Sequence, residues 1–292
     1  MKIQSLSVVV PTNGCINDCR FCVSRMKLDE YKNQMDDNRP FYDLYLKDYI
    51  KRLEFARDNG CNTVILTGNG EPQQNRGFLT DFGLFMMLLE RPFRNIEMQT
   101  TGALLDEPYL RFLRNHVGVN LISLSVSALN NADNAKYNGI RSNSTHVKLE
   151  ELCEKIKKYD FNLRLSINMT DALDNIPTWE IFHVCKETYH SDQITFRKLY
   201  KSPNGDTQQD KWIDEHGASE KTIANVREFI LTEGRPLEKL EYGQTRYSIG
   251  DMSVVLDDDC MSQEVKEALK YLILRPNCKL YSKWDDKASL IF

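Results

Sequence analysis

The chain has 292 residues, with 38 Lys and Arg against 42 Asp and Glu, and a formal net charge of -4. This length can bury a large core, so one α/β barrel with an added segment is as natural an expectation as two domains. The acidic balance gives no overall basic surface, which disfavours a nucleic-acid substrate. Neither a secretory signal nor a stretch as long as a membrane-spanning helix is found, so we expect a cytoplasmic protein without membrane contacts.

The first predicted strand, 6–10, is followed by three cysteines in one loop. Cys15, Cys19 and Cys22 are spaced as Cys-Ile-Asn-Asp-Cys-Arg-Phe-Cys. Structural zinc usually takes four protein ligands in two separated pairs, whereas a cubane iron-sulfur cluster on three thiolates leaves one iron open. The alternatives are a zinc site that lacks its fourth ligand in the motif, or buried cysteines that pack as small apolar side chains. The other five cysteines are scattered, which favours a reducing compartment over a disulfide framework.

This spacing, with Phe21 directly before the third cysteine, resembles the signature of the radical S-adenosylmethionine (radical SAM) enzymes. The resemblance implies one [4Fe-4S] cluster on the three cysteines, with S-adenosyl-L-methionine (SAM) on its open iron. An electron from the cluster then cleaves SAM to methionine and a deoxyadenosyl radical, which abstracts a hydrogen atom from the substrate. Phe21 is expected to pack near the adenine, or else to shield the cluster. A flavodoxin- or ferredoxin-type electron donor is expected, because no flavin or nicotinamide motif is found.

Short β-rich runs alternate with helical patterns over the first 200 residues or so. The later predicted strands are 63–67, 95–100, 121–126, 163–169 and 193–199. The predicted helices are 42–59, 78–90, 107–115, 145–159 and 177–189. Strands that are apolar on both faces predict a parallel sheet covered by helices. The family resemblance selects an α/β fold with a partial (β/α)6 TIM-like barrel, and the active site is expected at the C-terminal ends of its strands.

A glycine-rich turn, Gly68-Asn-Gly70-Glu71-Pro, ends the second predicted strand. Glycine lets the backbone approach a ligand closely. The turn resembles the family's glycine-glutamate-proline element, whose backbone receives the methionyl amino group of SAM. We therefore expect Gly68, Gly70 and Glu71 to bind the cofactor. Asn69 departs from the family pattern and leaves the contacting carbonyl undecided.

Hydroxyl side chains alternate along the fourth predicted strand, so Ser125 and Ser127 share one face. By resemblance, both are candidates to contact the carboxylate and ribose of SAM. Asn168, at the end of the fifth strand, is a candidate for the ribose. Arg141 lies in the connection after the fourth strand, where related enzymes often place a basic residue, so by the same resemblance it is a candidate for the methionine carboxylate, which a guanidinium suits. Each has a structural alternative, such as a backbone hydrogen bond or a place on the surface.

The third and sixth predicted strands end at the same rim of the barrel, where the active site is expected. Residues 99–101 are candidates to touch the cofactor or the substrate. Arg197 and Lys198 lie on opposite faces of the sixth strand, so one of them is expected to point inward. A buried cation needs an anion. That anion is either a substrate carboxylate or phosphate or an acidic neighbour, and the sequence favours neither.

The βα pattern stops near residue 200. We therefore predict a radical SAM core at 1–200 and a small α+β extension at 201–292 that packs on the open side of the barrel and shapes the substrate site. Within the extension the pattern predicts a loop at 201–210, a helix at 219–233, and strands at 246–249, 253–256 and 271–274.

The extension holds too few cysteines for a second cubane. Cys260 and Cys278 alone could not hold one without Cys153 or Cys185, so a single cluster is predicted. Catalytic residues stay unknown. Cys260, Cys278 and Tyr200 are the candidates for a hydrogen donor, with ordinary thiols and an ordinary tyrosine as the alternative.

We interpret the chain as a radical SAM enzyme that acts on an unidentified small-molecule or peptide substrate. A rival from another class is a non-catalytic binding protein stabilised by zinc or by a structural cluster. A second rival keeps the cluster as a redox relay and does not bind SAM.

Overall fold

The computed structural model describes residues 2–26, 46–140, 148–240, 244–257, 268–284 and 287–291. They form one sheet of 11 strands with helices packed against it. The strands are β1 (Lys2–Val9), β2 (Thr63–Thr67), β3 (Asn95–Thr100), β4 (Leu121–Val126), β5 (Asn162–Asn168), β6 (Gln193–Arg197), β7 (Arg235–Lys239), β8 (Thr245–Ile249), β9 (Met252–Asp257), β10 (Ala268–Leu274) and β11 (Leu280–Tyr281). Within these ranges, no helix is both long and apolar enough to span a membrane.

The sheet order is β11-β10-β1-β2-β3-β4-β5-β6-β9-β8-β7. Every pair from β10 through β1 and β6 to β9 is parallel, so eight strands run in one direction. Short antiparallel strands flank this run, β11 beside β10 and the β7–β8 hairpin beside β9. The described parts of β9 and β10 do not pair with each other, so the barrel is unclosed. The predicted partial TIM-like barrel is therefore confirmed.

The helices cover the sheet as the alternating pattern predicts. They are α1 (Val23–Met26), α2 (Leu46–Asp58), α3 (Arg76–Leu88), α4 (Glu107–Phe112), α5 (Asn131–Tyr137), α6 (Leu149–Lys158), α7 (Thr178–His183), α8 (Gln208–His216) and α9 (Glu220–Glu233). One π-helical turn extends α4 over Leu113–Val117 and another extends α7 over Val184–Thr188. Short 3-10 turns lie at Pro72–Gln74, Asp171–Leu173 and Lys287–Ser289.

The core lies between the helices and the outer face of the sheet. Strand side chains such as Met98 and Phe196 are fully buried together with helix side chains such as Phe82 and Ile156. Some helices begin at a residue whose side chain caps the first turn. Ser219 caps α9 by accepting a hydrogen bond from the Thr222 amide.

Three helices lie where no helix was predicted, α1, α5 and α8. Helix α8 begins within the segment that was predicted as a loop. A loop was predicted there because polar residues dominate the segment. The signal for the helix is a capping box, in which Thr207 accepts from the Asp210 amide and Asp210 accepts from the Thr207 amide. The apolar residues Trp212 and Ile213 follow and give the helix an inward face.

The C-terminal segment adds strands to both sides of the core sheet. Strand β9 pairs with β6, whereas β10 pairs with β1 at the far side. The extension therefore flanks the opening of the barrel instead of lying beside one edge. The domain boundary near residue 200 stays a prediction.

Candidate functional site

A pocket of about 190 Å³ lies at the C-terminal ends of the parallel strands. The loops after β1, β2 and β3 form one wall, and the ends of β4, β5 and β6 form the other. The three cysteines line it together with Gly68, Gly70, Glu71, Ser125 and Asn168. The fold thus brings together most of the residues singled out in the sequence. We call this space the upper pocket.

The cysteine loop is held by bonds to its own chain and to its neighbours. The Cys22 amide donates to the Cys19 carbonyl over 3.3 Å, and the Arg25 amide donates to the Cys22 carbonyl over 3.0 Å. Arg25 also pairs with Asp18 and donates to the Asn17 carbonyl. These contacts hold the loop that carries the three cysteines.

All three thiols are free and partly buried. Burial raises the pKa of each thiol, and for Cys19 the neighbouring Cys22 and Cys15 raise it further. A bound metal reverses this preference, because coordination deprotonates a thiol. The Cys19 thiol also donates to the Asn138 carbonyl over 3.0 Å.

The donor set fits a cubane better than a single metal ion. Among the described residues, no three His, Cys, Asp or Glu side chains are grouped as ligands of one ion. A cubane does not need such convergence, because each thiolate binds a different iron. The acids nearest the thiols are already engaged, since Asp18 pairs with Arg25 and Glu71 accepts bonds from protein donors. Three thiolates on one loop therefore match a cluster with one open iron.

Glu71 links the cysteine loop to the rest of the site. Its Oε2 accepts from Asn17 Nδ2 over 3.3 Å, from the Thr101 amide over 3.1 Å and from Thr101 Oγ1 over 2.9 Å. Burial raises the pKa of this carboxyl, although these hydrogen bonds act in the opposite direction. The side chain thus positions the loops, and the expectation that Glu71 binds the cofactor rests on its backbone.

Two glycines are required because the cysteine loop approaches them closely. A Cβ on Gly70 would lie 2.1 Å from Thr12 Oγ1 and 2.7 Å from the Gly14 carbonyl oxygen. Gly139 has φ +57°, and a Cβ there would lie 2.2 Å from the Asp18 carbonyl carbon and oxygen. The Asp18 amide donates to the Gly139 carbonyl over 2.9 Å. The cysteine loop is therefore packed between the turn after β2 and the turn after α5.

Polar side chains of β4 and β5 form the floor of the upper pocket. Asn168 Nδ2 donates to both Ser125 Oγ and Ser127 Oγ over 3.0 Å. Ser127 Oγ donates to Asn138 Oδ1 over 2.8 Å and is fully buried. Ser125 and Asn168 line the pocket, whereas Ser127 supports them from below. A cofactor contact by Ser127 stays a prediction.

The residues at the C-terminal end of β3 divide between two roles. Gln99 lines the pocket and donates to Glu97 over 3.3 Å. Thr100 Oγ1 accepts from Gln73 over 2.8 Å, and Thr101 binds Glu71, so both threonines hold the neighbouring loops.

A second and larger cavity, which we call the inner cavity, has a volume of about 400 Å³ and lies within the open barrel. Ser24, Thr67, Gly68, Gln99 and Arg197 line both spaces, so the two are continuous. Tyr200 lines the inner cavity. Lys198 turns outward and pairs with Glu220 over 2.8 Å, which leaves Arg197 as the inward residue of that pair.

The remaining candidates lie elsewhere. Phe21 packs against Trp212 at 5.7 Å between ring centroids and lines neither space, so its contact with adenine stays a prediction. Cys278 is buried away from both spaces, and burial raises the pKa of its thiol to about 11. Arg141 and Cys260 lie outside the described residues.

Sequence reasoning missed an aromatic group next to the cysteine loop. Trp212 of α8 contacts Phe21, Tyr137 and His216, and Tyr137 and His216 both bond to Asp171. The capping box at the start of α8 was the available signal, because it places Trp212 on a helix.

Comparisons with known proteins agree with this geometry. The family model of the Radical SAM superfamily matches residues 9–180, which is more than half of the chain. Comparison with curated protein sequences finds no match.

Solved structures share the fold at low sequence identity. Streptococcus suis SuiB bound to S-adenosylmethionine is 12% identical with a TM-score of 0.59, and the match covers 97% of this chain and 60% of SuiB. Native anSMEcpe with bound AdoMet and Cp18Cys peptide is 16% identical with a TM-score of 0.52, and the match covers 79% of this chain and 59% of anSMEcpe. Coproporphyrinogen III oxidase (HemN) from Escherichia coli is 15% identical with a TM-score of 0.50, and the match covers 89% of this chain and 57% of HemN. The chain thus spans less than two thirds of the length of each of these proteins.

Proposed function

This chain belongs to the radical SAM superfamily, and on that premise we propose that it is an enzyme that binds one [4Fe-4S] cluster through Cys15, Cys19 and Cys22 and binds SAM in the upper pocket. When bound, the cluster supplies the electron that cleaves SAM to methionine and a deoxyadenosyl radical, and the radical removes a hydrogen atom from the substrate. The substrate is a small molecule or a peptide.

One observation carries this proposal. Three free thiols from a single loop open onto the same pocket as the glycine-rich turn, Ser125 and Asn168. Thiolates bind iron, whereas exposed backbone groups and neutral polar side chains suit a zwitterion and a ribose. The chain supplies both kinds of group at the strand ends, where barrel enzymes bind their ligands.

The neighbouring residues hold this arrangement in place. Glu71 and Asn17 join the cysteine loop to the turn after β3, and Gly70 and Gly139 let the loop pack closely. Because these contacts lie within the protein, the ligand positions are organised before any ligand arrives. Such preorganisation lowers the entropy lost on binding.

The inner cavity is our proposal for the substrate site. It opens into the upper pocket, so a substrate bound there lies next to the cofactor. The electron is proposed to come from a flavodoxin- or ferredoxin-type donor.

Metal content tests the proposal against its rival. The protein is reconstituted without oxygen, once with iron and sulfide and once with zinc, and the metal is measured for wild type and for Cys19→Ala. We expect a brown protein with about four irons per chain, and loss of the iron in the variant. Stoichiometric zinc with no stable iron would instead support a non-catalytic binding protein.

A further inference from the structure

The inner cavity contains several charged side chains, and most of them are paired. Arg164 Nη1 lies 2.6 Å from Glu97 Oε2, and Arg164 also donates to Gln193 over 2.9 Å. Lys270 Nζ lies 3.3 Å from Asp257 Oδ1. Within each pair the two opposite charges cancel, so neither cation is left for a ligand.

Arg246 is paired as well, with Glu238 at 2.7 Å. Arg197 differs from the other cations of the wall. No ion pair joins it to the described residues, and its Nε is buried with no hydrogen-bond acceptor. Its strand neighbour Asp257 is engaged by Lys270 and Gln244 instead. A buried donor or cation without a partner is unfavourable, so this position favours an anionic ligand.

The position of Arg197 indicates where that ligand lies. Arg197 ends β6, level with Asn168 of β5, and it lines both the upper pocket and the inner cavity. An anionic group held there lies at the junction between the proposed cofactor and substrate sites. Tyr271 of β10 and Trp284 also line the inner cavity, 6.3 Å apart between ring centroids.

We propose that Arg197 binds a carboxylate of the substrate, so the substrate is a carboxylic acid whose reacting carbon lies near the upper pocket. This inference rests on the proposed function. One guanidinium presents two parallel N–H donors that match a planar carboxylate. A phosphate carries nearly two negative charges and calls for a second cation, whereas the other cations of the described cavity wall are already paired.

The carboxylate comes either from a free acid or from an acidic side chain of a peptide. Two probes separate these sources, glutarate for the free acid and N-acetyl-glutamyl amide for the peptide. Glutaramide and N-acetyl-glutaminyl amide are the matched neutral probes, and inorganic phosphate is the competing anion. Binding is measured by saturation-transfer NMR on the reconstituted protein with SAM present.

We expect at least one of the two carboxylate probes to bind, and its neutral partner to bind at least tenfold more weakly. Arg197→Gln should weaken carboxylate binding at least tenfold, and Arg197→Lys should restore part of it. Lys198→Gln is the matched control, because Lys198 is the next residue and faces away from the cavity. It should bind the probes like wild type. Thermal melting followed by circular dichroism checks that each variant is folded.

Three results would overturn the inference. They are equal binding of the acids and their amides, tighter binding of phosphate than of either acid, and weaker SAM binding in Arg197→Gln, which would assign the guanidinium to the cofactor. The NMR measurement needs no turnover. Failure of the proposed function would appear separately, as a protein that binds neither iron nor SAM.

Discussion

Asp257 and Lys270 connect the two sides of the unclosed barrel. Asp257 ends β9 and Lys270 lies in β10, the two outermost strands of the parallel run, yet Oδ1 and Nζ are 3.3 Å apart. Their side chains are only 10% and 11% exposed. The C-terminal segment therefore bridges the gap between these strands with side chains instead of a backbone ladder.

Removing one charge of this pair should destabilise the protein. In Asp257→Asn, Lys270 keeps a poorly solvated charge beside a neutral amide, so we expect the free energy of unfolding to fall by about 1 to 3 kcal/mol. Urea unfolding of the wild type and the variant measures the difference. Asp251→Asn is the control, because Asp251 is 81% exposed in its pair with Lys186 and should change stability by less than about 0.5 kcal/mol. Equal effects of the two substitutions would show that Asp257 and Lys270 do not hold the opening together.

Gly139→Ala should prevent the cysteine loop from packing. The new Cβ would collide with the Asp18 backbone, in addition to the strain of about 1 kcal/mol for a non-glycine residue at positive φ. We expect the variant to bind much less iron on reconstitution, measured as iron per chain. Gly205→Ala is the matched control, since Gly205 has φ +66° with no atom within 4 Å. Normal iron content in Gly139→Ala would contradict the role given to this contact.

Asp210 should stabilise helix α8 in a pH-dependent manner. Burial acts to raise the pKa of its carboxyl, but hydrogen bonds from Ser202 and Thr207 outweigh burial and lower it from 3.8 to about 2. A carboxyl with a lowered pKa contributes stability above its unfolded value, and this contribution is lost as the pH falls from about 4 toward 2.

Asp210→Asn tests this expectation by chemical unfolding across pH 3 to 7. The variant should be less stable than wild type by about 1 kcal/mol at neutral pH. The difference should stay constant down to about pH 4 and shrink below it. If the stability difference between wild type and variant grew as the pH fell, the ionised carboxylate of Asp210 would not be the group that stabilises its contacts with Ser202 and Thr207.

The sequence predicted the core strands closely, because their apolar runs are bounded by turns. Strands β2, β3 and β4 begin and end at the predicted residues. Helix α8 was missed, since its packing depends on Trp212 meeting Phe21, a contact between residues far apart in the chain.

The candidate site was predictable only in part. Local motifs identify the three cysteines and the glycine-rich turn, and the fold places them in one pocket. The link between Glu71 and Asn17, the Arg164–Glu97 pair and the lack of an ion-pair partner for Arg197 among the described residues depend on how side chains are arranged across the barrel. Residue spacing in the sequence does not indicate contacts between residues so far apart in the chain, so these contacts could not be predicted from it.

Release of 5′-deoxyadenosine tests the central claim most directly. The iron-reconstituted protein is mixed with SAM and dithionite without oxygen, and the nucleoside is quantified for wild type, Cys19→Ala and Cys61→Ala, whose buried thiol lines neither space. Our account predicts deoxyadenosine from wild type and from Cys61→Ala, and none above background from Cys19→Ala. Iron-loaded wild type that releases no deoxyadenosine, or Cys19→Ala that releases as much as wild type, would contradict it.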